Sequence, residues 1–188
     1  MALLIPDSGP LFSLAAGGLL GVLDHFRLAI NDVVKEEAID PGERAGASPE
    51  ALALWAFYAA RVGAIEVFAT QVGQDLRVLR QTHPERPTPS NVGELSIQSL
   101  VIHLQVSAAE EMPVILFEDA WFLRHAQTLA KPCVLISTQA FLINAEKLGL
   151  IPSAQAARAA ISNRRPTAYA GPFTVTAASK TKPSRRPP

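Results

Sequence analysis

Four acidic positions fall where an apolar run gives way to a turn or to the start of a helix. Asp7 follows Leu3-Leu4-Ile5-Pro6. The Glu36/Glu37 pair follows Ala29-Ile30-Asn31-Asp32-Val33-Val34. Glu94 lies in Asn91-Val92-Gly93-Glu94-Leu95-Ser96, and Asp119 follows Val114-Ile115-Leu116-Phe117-Glu118. In an open, mostly parallel α/β sheet the ligand crevice lies beyond the carboxyl ends of the strands, so acids placed there converge however far apart they are in sequence. Hard oxygen donors gathered this way suit Mg2+ or Mn2+, the usual agents of phosphodiester hydrolysis. Ser8 and Thr138 are hydroxyls able to orient a water in such a site, or to cap backbone.

Each acid also has a local explanation. Asp7 precedes Ser8-Gly9-Pro10 and suits an Asx turn. Glu36 and Glu37 stand in the first turns of a helix, where the macrodipole favours a carboxylate. Asn91 and Glu94 have capping-box spacing, and Asp119 suits an N-cap. Singly these readings compete evenly with a metal site. Jointly the metal reading gains, because all four positions imply the same face of one sheet.

The elements that must position these acids alternate along the chain. Leu3 to Pro6 predicts a short buried strand, and Pro10 opens a helix reaching about Leu23. Leu28 to Asn31 is a second strand, followed by a helix that Asp32 is placed to cap and that stops before Pro41-Gly42. Ser48-Pro49 opens a helix through Ala60, and Ala64 to Ala69 alternates as a third strand. Gln74 to Gln81 has helical spacing, while His83 to Ser90 holds three prolines and reads as loop. Helix over 91–107, strand over 114–117, helix over 119–129 and strand over 133–136 follow, then helices over 138–148 and 153–162. Short strands separated by helical patterns predict parallel βαβ units buried on both faces.

Composition bounds the chain without naming a function. The 188 residues, 48% hydrophobic, support one domain with a real core. The single cysteine, Cys133, permits no internal disulfide and reads as a small buried hydrophobe in a reducing compartment. The apolar stretch from Leu11 to Leu23 is too short to span a bilayer and lacks a basic leader, so a cytoplasmic protein with no membrane partner is expected. Net charge is zero but unevenly spread. All 17 acids lie at or before Glu146, beside nine basic residues, a net of −8; the eight Lys/Arg beyond it include Lys180, Lys182, Arg185 and Arg186. A basic, largely disordered tail over 166–188, after a domain over 1–165, is the expected division.

Competing motifs fail. Ala15-Ala16-Gly17-Gly18-Leu19-Leu20-Gly21 is not a dinucleotide fingerprint, and no P-loop occurs. His25, His83, His103 and His125 have no metal-ligand spacing with Cys133. Trp55, Phe57 and Tyr58, on a helix rich in Ala and Leu, suit core or a dimer interface better than a base-stacking platform.

The segment Leu4-Ile5-Pro6-Asp7-Ser8-Gly9-Pro10-Leu11 resembles the opening of PIN domains (PilT N-terminus nucleases). Asp32-Val33-Val34-Lys35-Glu36-Glu37-Ala38-Ile39, Gly93-Glu94-Leu95-Ser96-Ile97 and Ile115-Leu116-Phe117-Glu118-Asp119-Ala120-Trp121-Phe122 resemble the family's later acidic segments, and Ser137-Thr138-Gln139-Ala140-Phe141-Leu142 its close. The likeness covers about Ala2 to Ser162. It implies a three-layer α/β/α PIN-like fold with a short, mostly parallel sheet. It also implies a Mg2+- or Mn2+-dependent ribonuclease, similar to toxin–antitoxin toxins of the VapC type, acting on RNA, restrained by a small antitoxin protein and homodimeric. Carried over by position, the catalytic and metal-binding acids are Asp7, Glu37, Glu94 and Asp119, with Glu36 and Glu118 as second choices. A non-catalytic RNA-binding or scaffold protein of the same fold is the alternative.

Overall fold

Runs as short as Leu3-Leu4-Ile5-Pro6 hold as strands here because both of their faces are covered. The computed structural model describes residues 2–107, 112–129, 132–166 and 174–177. Its strands are β1 (Leu3–Pro6), β2 (Arg27–Asn31), β3 (Glu66–Phe68), β4 (Val114–Phe117), β5 (Cys133–Ser137) and β6 (Thr174–Ala177). They form one six-stranded sheet in the order β3-β2-β1-β4-β5-β6. The first five run parallel and β6 is antiparallel to β5. Every residue of β1 is buried, as are Leu28 to Asn31 of β2. Such double-sided burial explains continuous apolar runs in place of alternation. Helices flank the sheet, so the chain is α/β, compatible with three α/β/α layers, as the sequence predicts.

The helices are α1 (Ser8–Ala16), α2 (Asp32–Val34), α3 (Pro49–Ala59), α4 (Gln71–Thr82), α5 (Val92–Ser107), α6 (Trp121–His125), α7 (Thr138–Lys147) and α8 (Ala154–Arg164). Side-chain oxygens start five of them, Asn31 opening α2. Ser48, Thr70, Ser137 and Ser153 accept from the amides of Ala51, Gly73, Ala140 and Ala156, satisfying donors that the first turn leaves unpaired. Between β1 and the neighbouring strands lies a core centred on Leu4, Ile5, Ile115, Leu116, Phe117 and Phe122, all fully buried.

Three elements depart from expectation. The helix predicted through Leu23 ends at Ala16, because Gly18 takes a left-handed φ of 67° and the chain resumes as a 3-10 turn over Leu20–His25. The cap after β2 is Asn31 rather than Asp32. Asn31 keeps extended backbone and its side chain accepts from Val34 N at 2.8 Å. The Asp32 carboxylate turns instead to α4, accepting from Thr70 N and Oγ1 at 3.1 and 2.8 Å and pairing with Arg77 at 2.9 Å. Finally, within the segment expected as a tail, Thr174-Val175-Thr176-Ala177 joins the sheet beside β5. Its β-branched residues favour a pleated conformation, and pairing with β5 supplies the ladder. The tail cations Lys180, Lys182, Arg185 and Arg186 lie outside the described residues.

The aromatic residues of α3 are used mainly within the molecule. Trp55, Phe57 and Tyr58 pack against the core, Arg61 stacks over Phe57 at 3.9 Å and Lys35 lies 5.3 Å from the Tyr58 ring. Leu52 is the large apolar side chain that α3 leaves exposed, at 50%. Cys133 is fully buried and its thiol is pushed up to about 11 by burial, as expected of an inert core residue. Among the described residues no helix is long and apolar enough to cross a membrane.

Candidate acidic site at the carboxyl edge of the sheet

Strand order reverses between β1 and β4, which lie side by side although two strands separate them in sequence. Crevices beyond the carboxyl ends of strands at such a switch point are the ligand sites of open α/β sheets. Asp7 is the first residue past β1, its amide still bonded to Leu116 O at 2.9 Å, and Glu118 and Asp119 are the first two past β4. Two further acids reach the same edge: Glu37 after β2 and Glu94 in the first turn of α5.

Asp7 is 8% exposed and stands at the N-cap position of α1, yet its side chain makes no cap bond. The local explanation therefore leaves this residue unaccounted for. Burial pushes its carboxyl from the ordinary 3.8 up to about 7; the Ser8 amide pulls the other way, and Glu94, Glu37 and Glu118 raise it further. Burial likewise raises Glu94, with Asp119 and Glu37 adding to it. A desolvated carboxylate repelled by three others marks a candidate functional site.

The choice between Glu36 and Glu37 is made by geometry. Residues Lys35–Ile39 form a π-helical turn, a local widening found often at functional sites. Successive helical residues point about 100° apart. Glu36 is directed to α4, where Arg77 and Arg80 bond its two oxygens at 3.0 and 2.9 Å. Glu37 is directed to β1, where Ser8 Oγ donates to its Oε2 at 2.8 Å. Glu37→Gln should therefore impair the site and spare the fold, whereas Glu36→Gln should cost up to about 1 kcal/mol of stability, as a partly exposed pair does, and spare metal binding. Paired melting curves with and without Mn2+ check both.

Gly93 lies between the two carboxylates. A Cβ on it would sit 3.5 Å from Asp7 Oδ1 and 3.5 Å from Glu37 Oε2. That is ordinary contact with both, so the missing methyl leaves a cradle between the oxygens. Asn91, just ahead of α5, takes φ 58°, a left-handed conformation Asn tolerates.

Glu118 and Asp119 divide the roles that sequence left open. Glu118 is half-buried; Thr138 Oγ1 donates to its Oε1 at 2.9 Å, and Arg165 Nη1 lies 3.6 Å from its Oε2. Asp119 is exposed, accepts from Trp121 N at 2.6 Å and lies 3.9 Å from Arg124; the N-cap position expected of it falls instead to Ala120. The hydroxyls of Ser8 and Thr138 donate to Glu37 and Glu118. Sequence reasoning missed Arg165, whose Nη1 donates to Gly9 O at 2.6 Å and Ser13 Oγ at 2.7 Å. Nothing in a local motif signals a partner 156 residues away.

Among the described residues no three His, Cys, Asp or Glu side chains come close enough together to grip an ion directly. Mg2+ does not demand this, since it keeps several waters and is commonly held by one or two carboxylates. Asp7 and Glu37, whose oxygens flank Gly93, are the two carboxylates that would hold such an ion. No protein-family model matches the chain, and neither does any curated protein or solved structure.

Proposed function

We propose that this protein is a PIN-type endoribonuclease that hydrolyses RNA phosphodiester bonds with Mg2+ or Mn2+, a cytoplasmic homodimeric toxin restrained by a small antitoxin protein. The observation that carries the reading is Asp7, a buried carboxylate with no cationic partner among the described residues, set among Glu37, Glu94 and Glu118 at the switch point of a parallel sheet. A bound divalent ion supplies Lewis-acid polarisation of a phosphoryl oxygen and acidifies water.

The chain's own residues do the rest. Asp7 offers oxygens already stripped of solvent, and Ser8 holds Glu37 in place beside them. Gly93 keeps the space between them open. Glu94, in the first turn of α5, and Asp119, exposed at the rim, accept protons of ordered waters without becoming nucleophiles themselves.

The second reading, a non-catalytic RNA-binding or scaffold protein, draws support from the lack of three directly converging ligands among the described residues. One assay separates the two. End-labelled single-stranded RNA should be cut internally by the purified protein in Mg2+ or Mn2+ and left intact in excess EDTA. RNA bound but uncut in both ions favours the scaffold reading, and cutting in EDTA rules out the metal.

A further inference from the structure

The described basic side chains near the acidic crevice are not equivalent. Arg77 and Arg80 are committed to Asp32 and Glu36 by bonds of 2.9–3.0 Å. Arg124 is 65% exposed and only 3.9 Å from Asp119, a loose surface pair of little fixed direction. Arg165 differs from all three. Its side chain is 28% exposed and stacks 5.7 Å from the Phe12 ring, and its Nη1 is pinned by one carbonyl and one buried hydroxyl.

Both anchors are neutral acceptors. Glu118 Oε2 forms an ion pair with the same nitrogen at 3.6 Å, while its Oε1 takes the Thr138 hydroxyl, so the anchors and the ion pair all fall on Nη1. A guanidinium has five donors, and among the described residues Nε and Nη2 make no hydrogen bond. One anchor, Gly9, lies two residues past Asp7 in the first turn of α1, and a Cβ on Gly9 would touch Glu118 Oε2 at 3.0 Å. A rigid fork with Nε and Nη2 to spare suits a phosphodiester, whose anionic oxygens an all-carboxylate crevice would otherwise repel.

We propose that Arg165, supplied by the chain segment just past α8, is the phosphate-holding cation of this site, its Nη1 anchored on Gly9 and Ser13 and its remaining donors directed at an RNA phosphate. The proposal rests on the ribonuclease reading and adds to it the residue that receives the substrate's charge.

The test measures anisotropy of a fluorescein-labelled single-stranded oligoribonucleotide with the full chain in excess EDTA, where the parent reading allows no cleavage. Arg165→Gln should weaken binding by at least about tenfold, as for a lost charge-assisted bond, and flatten the slope of log K against log [salt] by about 0.7. Its Mn2+-induced rise in melting temperature should persist. Arg165→Lys keeps the charge but not the fork, so it should retain the slope with intermediate affinity. If Arg165→Gln does not fold, Arg165→Lys carries the test alone, and wild-type affinity there overturns the proposal. Wild-type affinity and slope in a folded Arg165→Gln overturn it with the parent reading intact. A wild-type protein that binds no RNA overturns both.

Discussion

Asp7→Asn should lower metal-dependent cleavage of single-stranded RNA by on the order of 10^3-fold, about 4 kcal/mol of transition-state stabilisation. The substitution keeps shape and volume while removing the charge. Asp7 is 8% exposed and makes no cap bond to α1, and an Asn side-chain oxygen still accepts from the Ser8 amide, so the substitution should spare the fold. In EDTA at pH 8 the variant should in fact melt above the wild type. It no longer holds an ionised group desolvated among Glu94, Glu37 and Glu118. Loss of activity joined to gain of metal-free stability distinguishes a functional carboxylate from a structural one, whose removal lowers both.

The same residue predicts an unusual pH profile. Its carboxyl rises from 3.8 unfolded to about 7 folded, so between these values the native state binds more protons than the unfolded one. Stability without metal should therefore be highest at the acid end of this window and fall as pH rises from about 4 to about 7. The change is about 4 kcal/mol if Asp7 acts alone. Glu94, also raised by burial, acts in the same direction. Saturating Mn2+ should flatten or reverse the decline, because the cation favours the ionised form. Denaturant unfolding at pH 5 and pH 8, with EDTA and with Mn2+, reads all four corners. An Asp7→Asn protein should lose most of the slope.

Much of this was legible in the sequence, and the failures have physical reasons. Buried parallel strands announce themselves as apolar runs, so β1, β4 and β5 are found nearly to the residue, and with them the acids just past β1 and β4. Adjacent acids are a different matter. Glu36 and Glu37 both suit the start of a helix. Only Arg77 and Arg80, which arrive from α4 more than forty residues later, and a π turn that no propensity signals, direct Glu36 away and leave Glu37 at the crevice. Capping was misassigned by one residue at Asn31 because Asp32 has equal intrinsic merit as a cap. What decides it is the extended backbone at the end of β2 and the pull of Thr70 and Arg77 on Asp32. Arg165 and β6 were illegible for a common reason: each takes its meaning from a partner distant in sequence, Gly9 in one case and β5 in the other. Strand order, which creates the switch point, is likewise a property of packing.

The central claim, that carboxylates centred on Asp7 hold a divalent cation, is tested most directly by calorimetric titration of Mn2+ into the wild-type protein and Asp7→Asn at pH 6.5, in two buffers of different ionisation heat. At that pH a carboxyl with a pKa of about 7 is largely protonated, so binding must expel its proton. The account predicts saturable Mn2+ uptake by the wild type with a buffer-dependent heat, corresponding to roughly one proton at most, and weak, buffer-independent heats for Asp7→Asn. Equal affinity and equal proton release in the two proteins would contradict it.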